Sequence, residues 1–533
     1  MNASNLKAKY ISRNLIFIFV AMMFACSSIS DKNNVVERPN IILIMADDMG
    51  FSDIGCYGGE IQTPNIDRLA EGGLRFTQFY NNSICVPTRA SLLTGLYSQQ
   101  VGVYANSPQV MKNCVTLAEV LRQAGYRTLM TGKWHAQEIP VERGFDHYYG
   151  LTDGCCNFFN PGPRRPGEGE PGRKPFPREW PHWRQWAIED QVFLPYQPEN
   201  PDFYTTDAFT DYAIKYLEKY EHEDKPFFLY LAYTAPHYPL HAWPEDIAKY
   251  QGKYMIGWDK LREERYQRMS NMGLIDDTWP MSPRDPNVAS WDDIQNKEEW
   301  DLKMAVYAAM IDRMDQNIGR VLAKVNEMGE KENTLIIFLS DNGGCAEDAS
   351  YTPDIPPGPV ESYRSVDEPW ANASNTPFRK YKARDYEGGI HTPMIAYWPR
   401  VVQEEGAITD QVGHIIDIMA TFVDISGAVY PSEYDGREIL PLEGKSLLPI
   451  LQGKEREGHE SLFWQIQNGR QRAIRNGNWK MVAQSSEHPW ELYDLSVDRT
   501  ELNDLAEQHP DIVRGLTEKW ESWAKRVGIP LEH

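Results

Sequence analysis

Cysteine is scarce in this chain, seven among 533 residues, and no two are spaced as C-x-x-C. That spacing is what zinc ribbons and fingers need, so a structural zinc site of that kind is excluded. Apart from Cys26 and Cys85 the remaining cysteines are Cys56, Cys114, Cys155, Cys156 and Cys345. An odd remainder leaves at least one thiol free even in an oxidising compartment, and no pairing follows from it. Positive charge is also in deficit, with 54 Lys and Arg against 76 Asp and Glu and a net charge of -22. This argues against nucleic acid as a partner and offers no long-range attraction to an anionic substrate, so any anion must be held by local cations. Internal repeats are lacking. The apolar run at residues 15–25 is too short to span a bilayer.

That run has a use of its own. Lys7, Lys9 and Arg13 precede it in "MNASNLKAKYISRNLIFIFVAMMFACSS", the layout of a secretory signal. Cys26, directly after the run and followed by serines, resembles a bacterial lipoprotein cleavage and lipidation site. The expectation is an exported protein whose residues 1–26 form the signal ending at a lipidated Cys26, placed in the periplasm or at the cell surface and touching membrane only through that anchor. A soluble periplasmic product is the alternative.

From Arg38 onward, buried-type strands alternate with helical stretches. The expected fold is α/β, a large, mostly parallel mixed sheet sandwiched by helices, over residues 38–445. Residues 446–533 read as a smaller α+β subdomain, with short antiparallel strands in "LFWQIQNGRQRAIRNGNWKMVAQ" and "WELYDLSVDRTELNDLA" followed by the amphipathic helix "IVRGLTEKWESWAKRVG". Trp479, Trp490 and Trp520 are read there as core. Two excursions rich in proline and glycine, one between Cys155 and Tyr204 and one at residues 351–370, either border a pocket or are plain surface loops.

Four continuous apolar runs, "RPNIILIMADDMG", "GYRTLMTGKWH", "KPFFLYLAYTAPH" and "NTLIIFLSDNGG", look like strands buried on both faces. They end in Asp47 and Asp48, in Lys133 and His135, in His237, and in Asp341 and Asn342. Ligands of open α/β sheets bind outside the carboxyl ends of strands, so these ends supply polar groups to one crevice. Asp47, Asp48, Asp341 and Asn342 offer oxygen ligands only, with no partner thiols or paired histidines. Such a set suits a hard cation, calcium or magnesium, better than zinc or copper.

"SICVPTRASLLTG" adds C-x-P-x-R opening an apolar helix, with Cys85 at its N-terminus and Arg89 one turn on. A helix N-terminus suits an anion or an activated nucleophile, while a buried structural cysteine is the plainer reading. The stretch resembles the maturation signature of the type I, formylglycine-dependent sulfatases of the alkaline phosphatase superfamily. "PNIILIMADDMG", "TGKWH", "APH", "SDNGG" and "YKARDYEGG" resemble that family's other blocks in the same order.

The resemblance implies several things. Cys85 would be oxidised to formylglycine by a formylglycine-generating maturation enzyme. Asp47, Asp48, Asp341 and Asn342, with matured Cys85, would bind calcium rather than magnesium. Arg89, Lys133, His135, His237 and Lys382 would surround the sulfate. The implied activity is hydrolysis of sulfate esters, on a sulfated carbohydrate or another sulfate ester. Arg89 would favour ionisation of the hydrated aldehyde, Lys133 and Lys382 would neutralise the transferred group, His237 would protonate the leaving oxygen and His135 would act as base. His241 either faces substrate or bonds within a loop, and Glu387, Gly388 and Gly389 are read as structural. Two alternatives stay open, a phosphodiesterase or phosphonate monoester hydrolase of the same superfamily and a noncatalytic binder of sulfated glycans.

Overall fold

The computed structural model describes residues 38–106, 109–161, 186–193, 196–466 and 471–530. The signal and Cys26, most of the first excursion and residues 531–533 lie outside them.

Ten strands form one sheet. They are β1 (Asn40–Ala46), β2 (Leu74–Phe76), β3 (Arg127–Gly132), β4 (His147–Leu151), β5 (Trp186–Ile188), β6 (Gln191–Phe193), β7 (Phe227–Ala232), β8 (Thr334–Ser340), β9 (Met394–Tyr397) and β10 (Ala407–Thr409), in the order β10-β2-β9-β8-β1-β7-β3-β4-β5-β6. The five central strands, β8-β1-β7-β3-β4, are all parallel, β9 and β5 run antiparallel to them, and β6 pairs antiparallel with β5. All four apolar runs of the sequence are in this centre.

The continuous hydrophobicity of these runs has a direct cause. Successive side chains of a strand point to opposite faces. Ile42 and Ile44 enter one core with Ile336 and Phe338, whereas Ile41, Leu43 and Met45 enter another with Leu335, Ile337 and Leu339. Helices cover both. The first core takes Phe209 and Ala213 from the helix Thr205–Tyr220 and Met304, Ala308, Ile311 and Val321 from the long helix Lys297–Glu327. The second takes Leu92 and Leu93 from Cys85–Thr94, Leu117 and Leu121 from Leu117–Gln123, and Ile418 and Phe422 from Asp417–Ser426.

Four antiparallel strands, Ser461–Ile466, Gln471–Asn476, Trp479–Ala483 and Glu491–Asp494, form a second sheet, and the helix Pro510–Arg526 follows. Ile474, Met481 and Leu492 share the second core with Trp520 and Trp523 of that helix. Leu462, Trp464, Ala473, Val482 and Tyr493 cover Tyr80, Tyr386 and Ile390 instead. Trp520 is buried, and Trp479 and Trp490 pack partly buried against the core, as read from the sequence.

Candidate active site

Six of the polar residues lie beyond the carboxyl ends of four neighbouring strands. Asp47 and Asp48 follow β1, Asp341 and Asn342 follow β8, Lys133 follows β3, and His237 lies five residues beyond β7. The parallel register aligning Ala46 with Ser340 and Gly132 with Ala232 brings these ends level. Cys85 is the first residue of its helix, and a glycine in the left-handed conformation, Gly95, ends that helix.

Asp47, Asp48, Cys85 and His237 each place a donor atom within 4.8 Å of the others, and all four are buried. Cys85 Sγ lies 3.6 Å from Asp47 Oδ1 and 3.8 Å from Asp48 Oδ1. Asn342 Nδ2 donates to Asp48 Oδ1 at 2.8 Å, and Asp341 Oδ1 accepts from the Asp48 amide at 3.1 Å. The structure thus adds His237, read from the sequence as a proton donor, to the groups near the carboxylates.

Three buried cations face these carboxylates: Arg89, Lys133 and Lys382 are 1%, 0% and 5% exposed. Charged residues are rarely buried so fully unless paired, and each of these is. Lys133 Nζ reaches Asp47 Oδ1 and Oδ2 at 2.9 and 2.7 Å, and Lys382 Nζ reaches Asp48 Oδ2 at 2.8 Å. Arg89 Nη2 donates to Asp341 Oδ2 at 2.9 Å, while its Nη1 donates to the Lys133 carbonyl at 3.0 Å. His237 Nε2 stands 3.3 Å from Asp48 Oδ2 and 3.4 Å from Lys382 Nζ. Its Nδ1 donates to the Tyr238 carbonyl at 2.6 Å, which leaves Nε2 as the nitrogen facing the site.

The electrostatics follow from burial. Burial pushes the Cys85 thiol well above its usual range, helped by the Asp341 charge. It pushes His237 down to about 4, with Lys382 and Lys133 acting the same way and Asp48 opposing. His135 falls well below its ordinary value through burial and the charges of Lys133 and Arg89. Against burial, Lys382 and His237 hold Asp48 below the usual carboxylate range. His135 itself adopts a left-handed backbone, φ 61°, and its amide donates to Thr152 O at 3.1 Å.

The donors present fit a hard cation. The Asp47 and Asp48 carboxylates meet there, Asp341 and Asn342 bond to Asp48 beside them, and Asn342 Oδ1 is buried with no hydrogen-bond partner among the described residues. A buried carbonyl oxygen left without a donor is costly, and coordination would satisfy it.

Lys382 is placed by a knot of loops. Its amide donates to Gly344 O at 3.1 Å, and the Ala383 amide donates to Ser83 O at 2.7 Å. Gln471, from the C-terminal sheet, accepts from the Asp385 amide at 2.8 Å and donates to Ala383 O at 3.0 Å. Gly388 and Gly389 permit this closeness, since a Cβ there would lie 2.2 Å from Lys380 O and 1.9 Å from Arg384 O. Glu387 anchors the same segment on Lys480 Nζ at 2.6 Å and His391 Nδ1 at 2.8 Å, which agrees with its structural reading.

His241 bonds within loops. Its Nδ1 accepts from the Phe158 amide at 3.2 Å and its Nε2 donates to Ser362 O at 2.8 Å. Ser362 belongs to the second excursion, whose Tyr363 packs on Tyr238, so this excursion borders the site. The sequence reading missed Tyr238, whose hydroxyl donates to Glu347 Oε2 at 2.5 Å, and Tyr230, whose hydroxyl lies 3.5 Å from Arg89 Nη1. Tyr238 carried a signal, lying next to His237, whereas Tyr230 in mid-strand carried none. All six described cysteines are free thiols.

Comparison with known proteins shows the family. The sulfatase family model matches residues 39–428, and a model described as N-sulphoglucosamine sulphohydrolase, C-terminal, matches residues 380–526. An uncharacterized sulfatase of Schizosaccharomyces pombe is 34% identical over 92% of this chain and 94% of its own. An arylsulfatase of Klebsiella aerogenes is 32% identical over 80% of this chain and 95% of its own. The crystal structure of Ps i-CgsB superposes with a TM-score of 0.66 at 26% identity, covering 91% of this chain and 93% of that one. With both the sequence blocks and the strand-end site in place, the chain belongs to the sulfatase family, enzymes that hydrolyse sulfate esters.

Proposed function

We propose that this sulfatase acts on a sulfated carbohydrate, with Cys85 matured to formylglycine and calcium held by Asp47, Asp48, Asp341 and Asn342. The observation that carries the reading is Cys85 Sγ at 3.6 and 3.8 Å from the two aspartates, at a helix N-terminus and ringed by three buried cations. A carbohydrate substrate is supported by relatives. The structure of Ps i-CgsB is also known in complex with k-i-k-neocarrahexaose, and N-acetylgalactosamine-6-sulfatase of Canis lupus familiaris is 27% identical over 76% of this chain.

Calcium, when bound, would supply positive charge that favours ionisation of a neighbouring hydroxyl. The hydrated aldehyde would supply two hydroxyls on one carbon, one to attack sulfur and the other to expel sulfate afterwards. An unmodified thiol has no such exit. The remaining work falls to side chains already in place. Lys133 and Lys382 turn from their carboxylates to the sulfuryl oxygens, where fixed cations stabilise charge in a water-poor site. Arg89, held by the Lys133 carbonyl and Asp341, orients the nucleophilic oxygen. His237 Nε2, which is unprotonated while Nδ1 donates to the Tyr238 carbonyl, first takes up a proton and then delivers it to the departing oxygen, and His135 takes one from the second hydroxyl.

Export and lipid anchoring at Cys26 belong to the same proposal. They would bring the enzyme to glycans arriving from outside, and they rest on the basic, apolar and cysteine order of the N-terminal segment. Sulfate release from a panel of sulfated oligosaccharides tests the substrate class. Turnover of aryl sulfates with none on any sulfated sugar would reject it.

A further inference from the structure

Asp48 has φ 66°, in the left-handed region that side-chain-bearing residues seldom adopt. Such a conformation persists only where its surroundings hold it. One hold is the Asp341 carboxylate on the Asp48 amide. The other comes from behind the site. Tyr307, in the helix Lys297–Glu327, places its hydroxyl 3.3 Å from the Asp48 carbonyl and donates to Asp53 Oδ2 at 2.7 Å. Asp53 Oδ2 also accepts from the Gly50 amide at 2.8 Å, closing the turn after Asp48. Asp53 Oδ1 takes Arg265 Nη1 at 2.7 Å, and Arg265 forks onto Glu60 at 2.8 and 2.9 Å. Tyr307, Asp53 and Arg265 are all buried. The turn has no slack, because a Cβ on Gly50 would lie 2.4 Å from Ser374 O.

We infer that Tyr307, Asp53 and Arg265 are positioning residues that keep Asp48 in its left-handed conformation and so set the affinity of the site for calcium. The inference rests on the calcium reading above. Its physical basis is that partners behind a metal's ligands orient them, and losing one such partner typically weakens metal binding about 10- to 100-fold. A plain buried polar network would contribute to stability and leave calcium affinity alone.

Calcium titration by calorimetry separates the two roles. Wild type and Tyr307→Phe, prepared in the same way, are titrated with calcium alone, and their melting temperatures are read in chelator. Tyr307→Phe removes one hydroxyl and is expected to fold; Asp53→Asn, which keeps the shape of the side chain, gives a second variant. The expected result is a calcium Kd about 10- to 100-fold higher in either variant. The rise in melting temperature at fixed calcium should shrink to match. If wild type binds calcium and the folded variants bind it within twofold, with only the melting temperature in chelator lowered, the inference is overturned. If wild type itself binds no calcium, the metal reading fails first and the inference falls with it.

Discussion

Arg89 Nη2 donates to Asp341 Oδ2 at 2.9 Å, joining the helix that begins at Cys85 to the end of β8 across 252 positions of sequence. Both side chains are almost wholly buried, so neither charge has water to fall back on. Removing one partner of a buried pair costs about 3–5 kcal/mol, because the other is left uncompensated. Arg89→Ala is expected to destabilise by that order and to lose measurable turnover. Urea unfolding and sulfate release check the two effects separately.

Calcium removal should abolish turnover, and Asp47→Ala should do the same in folded protein, because the oxygens of Asp47, Asp48, Asp341 and Asn342 proposed as ligands suit a hard cation. Sulfate release from chelator-treated protein, before and after calcium is restored, is the measurement. Full activity in the metal-free sample would contradict the calcium assignment.

His237 and Lys133 should separate by leaving group. Without His237, a sugar sulfate is expected to lose about 10²–10⁴ in rate and an activated aryl sulfate clearly less, since a phenol departs without a proton. Lys133→Ala should lower both by similar factors, because a cation on the sulfuryl oxygens serves both esters. Rates with bond cleavage limiting decide this. An equal loss on both substrates in His237→Ala would remove the acid role.

A further prediction concerns stability. Asp417 accepts from Arg456 Nη2 at 2.8 Å, His459 Nε2 at 2.6 Å and the amides of Lys445 and His414 at 2.8 and 2.9 Å. Against burial, His459 and Arg456 hold its carboxyl below the ordinary 3.8. A depressed carboxylate contributes stability that is present above its unfolded pKa and lost as pH falls through the folded one. Asp417→Ala is therefore expected to be about 3–5 kcal/mol less stable at neutral pH, with the gap to wild type narrowing below about pH 4. Urea unfolding of both proteins across that range measures it.

The site was legible in the sequence where chemistry sits at the end of an apolar run. Asp47, Lys133 and Asp341 each follow such a run, and parallel strands in register bring run ends together whatever the spacing between them. Cys85 was legible for a local reason, since proline in the first turn and an apolar run mark a helix start. Tyr307 and Arg265 were not, because they sit within helices and reach the Asp48 turn only through packing. Gln471 was illegible for a similar reason, as its contact with the Lys382 loop depends on how the second sheet docks. His241 is ambiguous in the sequence because its partner, Ser362, comes from the distant excursion at residues 351–370.

The central claim is that Cys85 becomes an aldehyde whose hydrate attacks sulfur. Mass spectrometry of the Cys85-containing peptide, from active protein made in a host with the maturation enzyme, tests it most directly. The account predicts the mass of formylglycine at position 85, reactive toward a carbonyl reagent, in proportion to specific activity. Fully active protein carrying only an unmodified thiol at Cys85 would contradict it.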